Sequence, residues 1–227
     1  MRFVSVLFAL LACTAQAHEL WLEREGERWT LRQGHLHGGH AGEKNVPYDA
    51  HFVRSARCLD AGGAVRPLAV ASPSPWTASG ACAALHVEVS SGYWSKTPWE
   101  TKNAPKSETP GALKSWLSRD TLLFIDSRAV IRPHGEGLEI LPEGNPFALK
   151  PGDKLIVRVT QDGKPLAGAP VAYRGHARGA TDGAGRIAIR LRTAGTQLIS
   201  TSAELPLADG KADVEIRSAT LQFELPG

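Results

Sequence analysis

Five of the eight histidines fall within the first 51 residues: His18, His35, His37, His40 and His51. Imidazole is a borderline donor suited to nickel, cobalt, copper and zinc, so a cluster of this kind points to transition-metal binding. The densest run is Gly34-His35-Leu36-His37-Gly38-Gly39-His40. In an extended strand, residues two apart project to one face, which lets His35 and His37 converge on a single ion. Gly38-Gly39 permits a tight reversal that returns His40 toward them. A glycine-rich exposed loop with solvated imidazoles is the plainer alternative, and three histidines in six residues weigh against it. His51, His86 and His134 stand alone and read as hydrogen-bonded structural side chains. His176 lies in the loop-like Arg174-Gly175-His176-Ala177-Arg178-Gly179 and is open to either role.

His18 enters through processing. Arg2, the short apolar run from Phe3 to Ala12 and the small-x-small tripeptide Ala15-Gln16-Ala17 form a secretory signal, which predicts cleavage after Ala17 and a periplasmic protein. About ten apolar residues are too few to span a bilayer. The cut makes His18 the first mature residue, whose α-amino nitrogen and Nδ1 can close a six-membered ring on one ion. Nitrogen-rich coordination of this kind favours Ni(II) or Cu(II) over Ca(II) or Mg(II). Leu10-Leu11-Ala12-Cys13 approximates a lipoprotein signal, and a cut before Cys13 would leave His18 internal. Leu two residues before the cysteine is unusual for that signal, so cleavage after Ala17 is the preferred reading. The only Met is Met1, which excludes a thioether copper site in the mature chain.

The elements that must position these residues are strands. Apolar residues alternate with period two between Gly and Pro punctuation, as in Leu20-Trp21-Leu22-Glu23, Trp29-Thr30-Leu31-Arg32 and Leu85 to Ser90. Ser91 to Pro110 reads as a loop. Thr109 as N-cap, Pro110 at the first position and Leu113, Trp116 and Leu117 on one face predict a short helix. Arg132-Pro133-His134-Gly135-Glu136-Gly137 is the best domain boundary. Beyond it, Asp162-Gly163 marks a hairpin, Thr181 to Arg186 a turn, and about seven short strands follow in some ninety residues, as in an immunoglobulin-like sandwich. The expected fold is therefore all-β: a signal peptide at 1–17, an N-terminal β-sandwich domain at 18–137 carrying the His cluster, and an immunoglobulin-like domain at 138–227, with one short helix in the connecting region.

Of the three cysteines, Cys13 goes with the signal, and Cys58 and Cys82 are expected to pair in an oxidising compartment. The formal charge of +3, spread over scattered Lys and Arg, excludes a nucleic-acid partner. No Gly-x-Ser-x-Gly, phosphate-binding loop or zinc-protease helix motif is present, so hydrolytic chemistry finds no support. Tyr93, Trp94 and Trp99 sit near Lys96, Lys102 and Lys106, which allows a carbohydrate- or protein-docking surface, although aromatics in a sandwich are more often core.

The chain also resembles the NikK-like periplasmic family associated with nickel and cobalt uptake. The matching stretches are Ala17-His18-Glu19-Leu20-Trp21-Leu22, Gly34-His35, Tyr93-Trp94-Ser95-Lys96-Thr97, Asn145 to Asp153, Asp162 to Leu166 and Thr181 to Gly185. The amino-terminal pieces are the more specific. The resemblance implies a non-enzymatic protein that binds Ni(II) or Co(II) and presents it to a membrane metal transporter component, with His18 and His35 as ligands; His37 and His40 rest on spacing. Cu(II) is also possible. The rival readings are a copper oxidase using His18 as a histidine brace on polysaccharide, and a binding module acting through the Trp94–Lys106 loop.

Overall fold

The computed structural model describes residues 19–37, 45–49, 51–71, 74–133 and 135–227. Among these the regular structure is strand, apart from two three-residue 3-10 turns. Strands β1 (Glu19–Glu25) and β2 (Arg28–Gly34) form an antiparallel ribbon in which Glu19 faces Gly34 and Glu25 faces Arg28. The reversal at Gly26 needs a positive φ of 60°, which glycine adopts without a Cβ clash. A third strand, β5 (Thr77–Ser79), completes this small sheet against β2.

A nine-stranded sheet forms the backbone of the molecule. Its order begins with β4 (Val65–Pro67), β3 (Val53–Leu59), β6 (Ala84–Lys96) and β8 (Lys114–Ile125). It continues through β16 (Val214–Leu225), β15 (Gly195–Pro206), β12 (Pro170–Tyr173) and β13 (His176–Ala180), while β7 (Thr101–Lys102) pairs with β6. β8 and β16 run parallel from Trp116↔Val214 to Phe124↔Gln222, so one continuous sheet joins the two segments on either side of residue 137.

The pleat of this sheet separates two cores. Along β8, Leu122 and Phe124 pack with Leu20, Leu22, Trp29 and Leu31 of the amino-terminal ribbon, whereas Leu123 and Ile125 face the carboxy-terminal core. That second core is closed by a four-stranded sheet of β9 (Leu138–Glu143), β10 (Lys154–Gln161), β11 (Lys164–Pro165) and β14 (Arg186–Arg190). Asp162 and Gly163, at φ 50° and 73°, make the expected tight hairpin turn between β10 and β11. Cys58 and Cys82 are bridged, as the sequence leads one to expect.

Two expectations are corrected. The expected helix at 109–117 is absent: Lys114 onward is strand β8, paired to β6 on one side and β16 on the other. Ser115 and Leu117 are buried on one face, which is period two. Thr109 and Pro110 mark a turn, with the Ala112 amide donating to the Thr109 carbonyl at 3.2 Å. The expected loop at 91–110 is also shorter, because β6 continues to Lys96 across a bulge between Val89 and Gly92. A bulge breaks alternation without ending a strand, and Gly92 at φ 81° absorbs it. Within that stretch, Trp94 stacks on its cross-strand neighbour Trp116, with ring centroids 6.4 Å apart.

Candidate metal centre

The start of β1 and the end of β2 meet at Glu19↔Gly34, so the pairing register places the Glu19 carboxylate where the histidine loop begins. The His37 amide donates to Glu19 Oε2 at 2.9 Å. The ring Nδ1 of His37 lies 3.3 Å from Oε1 of the same carboxylate. Both side chains are withdrawn from solvent, at 9% and 15% exposure for His37 and Glu19. Burial raises the Glu19 pKa, yet the bonds from the His37 ring and amide, its charge and the Leu36 amide outweigh it and hold the carboxyl below its ordinary value. When the ring is neutral with its proton on Nδ1, donated to this carboxylate, the Nε2 lone pair is left as a metal donor. Carboxylate-bound histidine of this form is the usual outer-shell arrangement at metal sites.

The ribbon carrying this pair is anchored to the main sheet. Buried Gln222 accepts from the Leu22 amide and donates to the Leu22 carbonyl, both at 2.8 Å. The Arg174-Gly175 turn between β12 and β13 lies beside Glu19: a Cβ at Gly175 would come 3.5 Å from Glu19 Oε1. Beside it, Leu36 lines a cleft of about 920 Å³ floored by Trp21, Phe124 and Phe147.

Of the expected ligands, His18 and His40 lie outside the described residues. His35 is half-buried in the turn after β2, one residue from the Glu19↔Gly34 pair. Among the described residues there is no group of three or more His, Cys, Asp or Glu side chains placed to hold a metal ion. His51 is exposed, its amide bound to Asp49 Oδ1 at 2.6 Å. His86 is buried within β6. His176 is exposed and pairs with Tyr173 across the β12–β13 turn. Glu19 is the residue that sequence reasoning missed; its signal was the register of β1 on β2, which sets it opposite the first residue of the histidine run.

Fold and site together define a disulfide-bridged, all-β protein with a histidine–carboxylate pair where its first two strands meet. The chain matches the family model described as Domain of unknown function (DUF4198) over residues 15–205, and it belongs to that family. No curated protein and no solved structure matches it.

Proposed function

We propose that the mature protein is a periplasmic Ni(II)- or Co(II)-binding protein that captures the ion and presents it to a membrane uptake component. The ligands in this reading are His18, through its amine and imidazole, together with His35, His37 and His40. The observation that carries it is the contact of His37 Nδ1 with Glu19, the residue bonded directly to His18. A carboxylate that orients one imidazole at the predicted mature terminus supports a nitrogen-donor site there. The resemblance of the Ala17–Leu22 and Gly34–His35 stretches to the NikK-like family supports nickel or cobalt as cargo. Cu(II) binds the same donors more tightly in the ordinary affinity order, so copper in solution competes with the cargo. The protein's part is binding and hand-over, without a bond-breaking step.

Calorimetric titration of the mature protein with Ni(II) tests this. One ion per chain is expected, and His35→Ala and His37→Ala should each weaken binding by about tenfold or more, the scale of losing one metal contact or its support. Wild-type affinity in both variants would overturn the assignment.

A further inference from the structure

A second polar site lies on the face of the main sheet away from the amino-terminal ribbon. There β3, β6, β8 and β16, the segment 136–139 and Asp162 enclose a cavity of about 420 Å³. Its construction departs from what an outward sheet face requires. Val53 and Ala56 both belong to the amino-terminal core although two residues, not one, separate them. The reason is a bulge: Val53 pairs with Val89 and Ser55 with Glu88, leaving Arg54 as the extra residue. The slip puts Arg54 on the cavity wall together with Arg57. Bulges that re-aim one side chain recur beside binding sites.

The two ends of this cavity differ in charge. At the β3 end, Arg57 reaches Glu88 only at 4.0 Å, and Glu88 already accepts the Ser55 hydroxyl at 2.8 Å. The guanidiniums of Arg54 and Arg57 therefore have donors to spare, in the planar fork that suits a carboxylate. At the opposite end stand Glu136, Glu139 and Asp162. Glu139 is buried at 9% exposure, and its Oε2 accepts the Gly135 amide at 3.0 Å. Between them Arg119 and Arg217 share the carboxylate of Glu215, at 2.6 and 2.8 Å, and Arg217 also stands 3.7 Å from Asp162 Oδ1. Glu215 at 5% and His86 at 9% exposure are ionisable groups buried in this part of the sheet. Ionisable side chains gathered round a cavity are a mark of a ligand site.

We propose that this cavity binds a small zwitterion of amino-acid or dipeptide size, its carboxylate held between Arg54 and Arg57 and its ammonium directed to Glu136 and Asp162. A ligand of one sign would meet like charge at one end, whereas a zwitterion meets its complement at both. The site stands apart from the histidine pair and does not depend on the metal reading.

Calorimetric titrations of the metal-free mature protein with L-glutamine and alanylalanine, and with succinate and 1,4-diaminobutane as single-sign controls, test it. One of the two zwitterions should bind, with both controls weaker, and Arg54→Ala combined with Arg57→Ala should weaken that binding by about tenfold or more. Glu136→Gln, at an exposed position, should weaken it as well, with melting temperature and Ni(II) titration unchanged. Succinate binding as tightly as the zwitterions would make this a plain anion site and overturn the proposal. So would no binding of either zwitterion, or binding that survives the double arginine change.

Discussion

At the scale of single residues, the central contact is the Glu19 carboxylate on His37. Glu19→Gln keeps the shape but removes the charge that fixes the imidazole, so Ni(II) affinity should fall about 10- to 100-fold, as for other outer-shell changes, with little change in melting temperature. The histidine cluster was legible from residue type and spacing alone. Glu19 was not, since a lone glutamate in a strand reads as a solvated side chain until its pairing partner is known. Asp120 gives a second test at this scale. Burial raises its pKa, against hydrogen bonds from Ser218 and Ser118 that lower it. A carboxyl whose pKa is higher in the fold than in the unfolded chain holds its proton longer when folded, so stability falls as pH rises from its unfolded value through its folded one. Asp120→Asn should therefore melt at a higher temperature than the parent at neutral pH, and the two curves should converge in acid. Parallel melting curves across that range would show that the Asp120 charge carries no cost.

At the scale of elements, alternation located most strands, and it failed where two opposing signals met. Thr109-Pro110 is as good a turn as it is a helix start, and Leu113, Trp116 and Leu117 satisfy a helical face on spacing alone. The two strands flanking β8 decide the matter, since they supply hydrogen bonds on both sides that no local propensity encodes. The β6 bulge hid the second half of that strand in the same way. Gly92→Ala puts a Cβ at φ 81° and should cost about 1 kcal/mol in chemical denaturation. The disulfide was legible from the cysteine count together with the expected secretory signal. Replacing Cys58 and Cys82 together by alanine should cost about 3 kcal/mol, because the bridge closes a loop of 24 residues in the unfolded chain. An unchanged denaturation midpoint in either variant would contradict these assignments.

At the scale of the whole molecule, the two cores lie on opposite faces of one sheet, and the amino-terminal ribbon is tied to the last strand through Gln222. Glu19 also lies beside the β12–β13 turn, where a Cβ at Gly175 would come 3.5 Å from its Oε1, so the candidate centre sits where the first strand nears the carboxy-terminal half. The β8–β16 pairing was not legible in the sequence, because a parallel pairing of residues about a hundred apart leaves no local trace. The most direct test of the metal reading is native mass spectrometry of the protein secreted in nickel-containing medium, which reads the amino terminus and the bound ion together. A chain beginning at His18 with one Ni(II) or Co(II), lost in His37→Ala, is the predicted result. A chain beginning at His18 that carries no such ion would contradict it.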